Sequence, residues 1–170
     1  VQTCALPIYQ PTTITNITAN GTTVTVTAVN AFAVGQLVSI EGVIPSQYNL
    51  QNVAVATRTS SQFTVTNPAT GTYISGGVAY APVNLTGFTA ALQLRSLPND
   101  PTAALTLTTE NDGIEITALT GTIAVSATAA QTRAIDEGYY YYDLEITQTA
   151  TGIVTRVAQG QILVSAEITR

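Results

Sequence analysis

The stretch Asn20–Ala28, NGTTVTVTA, restricts what this chain can fold into more than any other part of it. A turn dipeptide, Asn20-Gly21, leads into Val24, Val26 and Ala28 alternating with threonines, the period-two pattern of a half-buried strand. The alternation returns downstream. Val38 and Ile40 carry it, then Val53 and Val55, then Phe63 and Val65. Gly76-Gly77 in GTYISGGVAYAP suits a bend or bulge. Five or six such strands before residue 82, with no helical periodicity between them, predict a small β-barrel that closes its own edges.

Beyond Pro82 the pattern continues with a different charge balance. Up to residue 81 the charged side chains are Glu41 and Arg58; the remainder holds nine acids and four arginines. That shift predicts two domains, 9–81 barrel-like and 82–170 a second β unit, joined around YAPVNLTGF. In the second unit Phe88, Ala90, Leu92 and Leu94 alternate, followed by Leu105 and Leu107, Ile114 and Ile116, then Ile123 and Val125. ATAAQTRAI loses alternation and is Ala-rich, which predicts one or two turns of helix. YYYYDLEIT, GIVTRVAQ and GQILVSAEIT read as three further strands. Seven strands with turns every 8–12 residues predict an immunoglobulin-like antiparallel β-sandwich. The fold class is therefore all-β.

Composition excludes much chemistry. The chain has no His, which removes imidazole metal ligands and His-based acid–base catalysis. It also has no Lys, which removes Schiff-base mechanisms and the lysine of a phosphate-binding loop. A single cysteine, Cys4, makes neither an internal disulfide nor a Cys-cluster site. With five arginines and a net charge of −5, nucleic-acid binding is disfavoured. No apolar run approaches the roughly 18–20 residues of a membrane span. No cofactor, metal or catalytic residue is expected, and no nucleic-acid or membrane partner.

The Tyr139–Tyr142 run has two readings. Tyr140 and Tyr142 share parity with Leu144 and Ile146 and should face the core; Tyr139 and Tyr141 share parity with Asp143 and Glu145 and should face outward. Outward neighbouring aromatics either pack across strands or anchor a partner or sugar. Glu110, Asp112 and Glu115 in TENDGIE lack the ligand spacing of a calcium loop and read as a tight turn. Asp136-Glu137 and Asp143/Glu145 resemble a glycosidase pair only in composition, and alternating carboxylates on a solvent face explain them more cheaply. The serines have no His or Lys to activate them, SGG at Ser75 reads as a bend rather than a phosphate cradle, and the sequons at Asn16, Asn20 and Asn84 arise easily in a Thr-rich chain.

The second unit resembles a domain of tailed-bacteriophage structural proteins, in the style of the N-terminal sandwich of baseplate upper proteins. LTGFTAALQLRS, LTTENDGIEI, YYYYDLEIT and GIVTRVAQGQILVSAEITR carry the resemblance, with Tyr140, Tyr142, Asp143 and Leu144 matching a Tyr-x-Tyr-Asp-Leu strand. Tyr139, Tyr141, Ala158 and Gln159 depart from it. The first unit is similar to small phage β-domains related to the FCCH domain of ubiquitin-activating enzymes, through VGQLVSIEGVIPSQYN, SSQFTVTNPATGTYISGG and VAYAP. Asn30-Ala31-Phe32-Ala33 replaces the frequent His-Gly there. These resemblances imply a non-catalytic virion component of the tail or baseplate. Its partners would be other virion proteins or copies of itself. The alternative is a carbohydrate or host-surface binding module using Tyr139 and Tyr141.

Val1–Ile8 resembles something different, the translation of a short-read sequencing adapter, GTT CAG ACG TGT GCT CTT CCG ATC. Residues 1–8 are accordingly expected to be an artefact, with the native N-terminus missing and the first domain counted from residue 9. Any order within them is expected only as packing against a sheet edge.

Overall fold

The computed structural model describes the backbone of residues 2–5 and 11–165 and the side chains of residues 11–165. Tyr9, Glu167, Arg170 and the Cys4 side chain lie outside the described residues. The fold is all-β. Two compact units divide it: one takes in Pro7–Leu85 and Ala118–Gly121, the other Val1–Leu6, Thr86–Thr117 and Thr122–Arg170.

The strands, in chain order, are β1 (Gln2–Ala5), β2 (Thr12–Thr13), β3 (Asn16–Ala19), β4 (Thr23–Thr27), β5 (Leu37–Ile44), β6 (Leu50–Arg58), β7 (Gln62–Thr66) and β8 (Ser75–Tyr80). The last seven form one antiparallel sheet in the order β2-β8-β5-β6-β7-β4-β3. Its two outermost strands are separated in sequence by Ile14 and Thr15 alone. The Ile14 N–H bonds Gly77 O (3.0 Å) on β8, and the Thr15 N–H bonds Thr27 O (2.9 Å) at the end of β4. One short segment thus serves both ends of the sheet, which curls into a barrel-like unit. The alternating positions fill it: Val24, Val26, Val38, Ile40, Val55, Phe63 and Val65 are buried together. Phe32 meets Phe63 edge-on at 5.2 Å between centroids, a favourable aromatic geometry.

Local chemistry makes the turns. Between β3 and β4, Asn20 Oδ1 accepts from the N–H groups of Thr22 (3.0 Å) and Thr23 (2.8 Å). Gly21 there sits at φ +83°, the left-handed region that favours glycine. The alternation overlooks the polar interior: Gln36 and Ser39 are buried too. Gln36 Oε1 accepts from the Ala33 N–H (2.9 Å), and its Nε2 donates to Pro82 O (2.6 Å). A buried amide with both ends bonded is affordable where an unbonded one is not.

The second unit contains β9 (Phe88–Arg95), β10 (Leu105–Thr108), β11 (Ile114–Thr117), β12 (Thr122–Val125), the helix α1 (Ala129–Arg133), β13 (Gly138–Gln148) and β14 (Val154–Val164). Helix α1 begins where alternation fails, with Thr128 and Gln131 forming a reciprocal capping box. Two antiparallel sheets result, β10-β9-β13-β14 and β1-β12-β11. Their buried faces make a sandwich-like core: Ala90, Leu92, Leu94, Leu107, Tyr140, Leu144 and Ile146 come from the first, Ile114 and Ile123 from the second. TENDGIE is the turn that carries the chain from one sheet to the other. Asn111 Oδ1 accepts there from the N–H groups of Thr108 (2.8 Å) and Gly113 (3.0 Å).

Two details differ from the sequence expectation. GIVTRVAQ and GQILV are one strand, β14, because Gly160 pairs opposite Tyr142 without breaking the ladder. The strand instead absorbs an extra residue, Val157, where the register slips between Leu144 and Glu145. The second unit's own stretch therefore supplies six strands, and β1 is the seventh. β1 pairs antiparallel with β12 at the edge of its sheet. Such pairing is made by backbone groups and tolerates almost any side chain.

Candidate functional site

The outer face of β9, β13 and β14 gathers the chemistry-bearing side chains of the second unit. Alternation puts every second residue of each strand on this face, and the register sets them in rows. Tyr139 lies opposite Leu163. In the next row Tyr141 is flanked by Arg95 and Gln161, and after it Asp143 by Gln93 and Gln159. Glu145 follows with Ala91 and Arg156, then Thr147 with Thr89 and Val154. One end of the face is apolar and the middle is polar.

The apolar end is open to solvent. Tyr139 is 69% exposed and Leu163 60%, while their neighbour Tyr140 is buried and donates its hydroxyl to Asp136 O (3.0 Å). Tyr141, at 37%, is only partly exposed. The run of four tyrosines is thus split by parity into inward and outward pairs. β14 is the outermost strand of its sheet, and its outer backbone edge has no partner strand among the described residues.

The polar middle is a groove of about 630 Å³. Arg156 organises its far side, with one guanidinium nitrogen 3.3 Å from Asp143 Oδ2 and 3.4 Å from Glu145 Oε1, and the other donating to Gln159 Oε1 at 3.0 Å. Arg95 organises the near side. It donates to Gln93 Oε1 (2.7 Å) and to the carbonyl of Asp100, tying the loop after β9 to the sheet. That loop is held internally as well. Asp100 accepts from the Ser96 hydroxyl (2.6 Å) and the Thr102 N–H (3.1 Å), which hold its carboxyl below its ordinary range. Pro98 and Asn99 of this loop complete one wall.

Asp143 and Glu145 both line this groove and share one guanidinium, that of Arg156. Among the described residues no group of three or more carboxylates, cysteines or histidines is placed to hold a metal ion. Glu110, Asp112 and Glu115 are exposed around the Asn111 turn. No helix among the described residues is long and apolar enough to cross a membrane. The barrel-like unit has its own depression, about 490 Å³ around Phe32, Gln36 and Pro82, with no ionisable side chain among the described residues that line it.

Tyr139 and Tyr141 were legible from parity alone. Gln159 stands out in the sequence only as a departure from the resembled pattern, and Gln93, Arg95 and Gln161 do not stand out, although the outward phase of all four follows from their apolar neighbours. What sequence cannot give is the register that puts them beside Tyr141 and Asp143. Compared with known proteins, the chain matches no protein-family model, no curated protein and no solved structure.

Proposed function

We propose that this chain is a non-catalytic structural component of a phage virion, of the tail or baseplate kind, that assembles through exposed β surfaces. One observation carries the reading. Tyr139 and Leu163 form a directly opposed, solvent-exposed apolar pair on β13 and the outermost strand β14, whose outer edge has no partner strand among the described residues. An isolated exposed apolar residue needs no explanation, but an aromatic–aliphatic pair on a rigid sheet is the composition of an interface centre. The sequence resemblance of YYYYDLEIT and GIVTRVAQGQILVSAEITR to phage structural domains supports the setting, and the exposed face supports the means. A partner strand on β14 would add backbone hydrogen bonds to the apolar contact.

The test is incorporation. Density-gradient-purified tailed particles from the source should contain peptides of this chain by mass spectrometry. Added to particles that lack it, the wild-type protein should sediment with them. A Tyr139→Ser/Leu163→Asp double variant with an unchanged thermal midpoint should stay in the supernatant. Recovery of the chain only from soluble host extract would overturn the assignment, as would equal sedimentation of the variant.

A further inference from the structure

We infer that the polar groove beside Tyr141 is a binding site for a neutral glycan, separate from the Tyr139–Leu163 contact and independent of it. Charge decides the class of ligand first. Arg95 and Arg156 are balanced by Asp143 and Glu145, and Arg156 touches both carboxylates. A phosphate, sulfate or acidic polymer would gain no net attraction here, and neither would a cation. An apolar ligand is no better served, because apart from Tyr141, Tyr142, Pro98 and Gly160 the described lining is polar or charged.

What remains is a partly exposed aromatic ring at the rim of a rigid bed of planar polar groups. Pyranose rings present that complement, with a C–H face that packs on an aromatic and vicinal hydroxyls that bond amides and carboxylates in pairs. Gln93, Asp143 and Gln159 form one row across three adjacent strands, spaced about 4.8 Å apart, and donors alternate with acceptors along it. The bed is ordered before any ligand arrives, since Arg95 fixes Gln93 and Arg156 fixes Gln159. Such preorganisation lowers the ordering cost of binding. By contrast, the Gln161 side chain makes no hydrogen bond with a described residue, and it stands next to Tyr141 with its amide available.

The experiment is a glycan array carrying neutral and acidic arms, followed by saturation-transfer NMR on the strongest responder. Binding should fall on neutral hexose or N-acetylhexosamine oligosaccharides. Tyr141→Ala and Gln161→Ala, which remove no hydrogen bond seen in the structure, should each weaken it about tenfold with the thermal midpoint unchanged. Tyr139→Ala should leave it intact. No response on any neutral arm, a response confined to acidic arms, or full binding by Tyr141→Ala would overturn the inference. The particle-sedimentation test does not depend on any of these results.

Discussion

Gly77 shows how tightly single residues are specified in the barrel-like unit. It lies within β8 at φ +101°, and a Cβ added there would come within 2.4 Å of Val43 Cγ2 and 3.3 Å of Glu41 O. Both the backbone region and the space demand glycine. Gly77→Ala should therefore destabilise by about 2–3 kcal/mol, measured as a lower urea midpoint with an unchanged slope. The Gly76-Gly77 pair was legible as a bend; the neighbour that makes it obligatory was not, because Val43 is brought to it by β5–β8 pairing. Gln36 illustrates the opposite limit. Its burial follows from the Ala33 N–H and Pro82 O that need it, and nothing in the local alternation marks it.

At the scale of elements, alternation located the strands and their buried faces, since a period of two allows only one phase against a core. It located Tyr140 inside and Tyr139 outside for the same reason. It did not locate the joins. Gly160 looked like a strand break, yet β14 runs through it because the Tyr142 ring occupies the space a side chain would take. A Cβ at Gly160 would stand 3.0–3.3 Å from that ring. Gly160→Ala should push the ring aside and cost about 1 kcal/mol, read by urea denaturation together with a changed Tyr142 ring signal in NMR. The candidate site shares this limit. Its polar rows are assembled from β9, β13 and β14, and the one-residue bulge at Val157 brings Arg156 opposite Glu145. A sequence pattern fixes phase within a strand but not register between strands.

The whole molecule has an unusual titration. It has no His, so no side chain ordinarily changes charge between pH 5 and 8. Glu41 is held below its ordinary 4.5 by the Tyr80 hydroxyl and then by Gln51. Asp100 is held below 3.8 by Ser96 and then by the Thr102 N–H. Glu110 is lowered chiefly by the Thr108 hydroxyl. A carboxyl with a depressed folded pKa contributes stability that is complete above its unfolded value and lost as pH falls through the folded one. Tyr80, raised above 10.0 chiefly by donating to Glu41, contributes stability that is lost only as pH rises beyond that value. Thermal midpoints should therefore be flat from about pH 5 to 8 and decline below about pH 4. The decline should be shallow, because these groups are solvent-exposed and screened. A midpoint that falls between pH 7 and 5 would show that some other group governs stability.

The proposed partner contact lies at the Tyr139–Leu163 end of the outer face of β13 and β14. Hydroxyl-radical footprinting of the protein free and seated on purified particles tests it most directly. Tyr139 and Leu163 should lose most of their reactivity on binding, while Ile74 and Val29, at least as exposed in the barrel-like unit, should keep theirs. Unchanged oxidation of Tyr139 and Leu163 in the bound state would contradict the account.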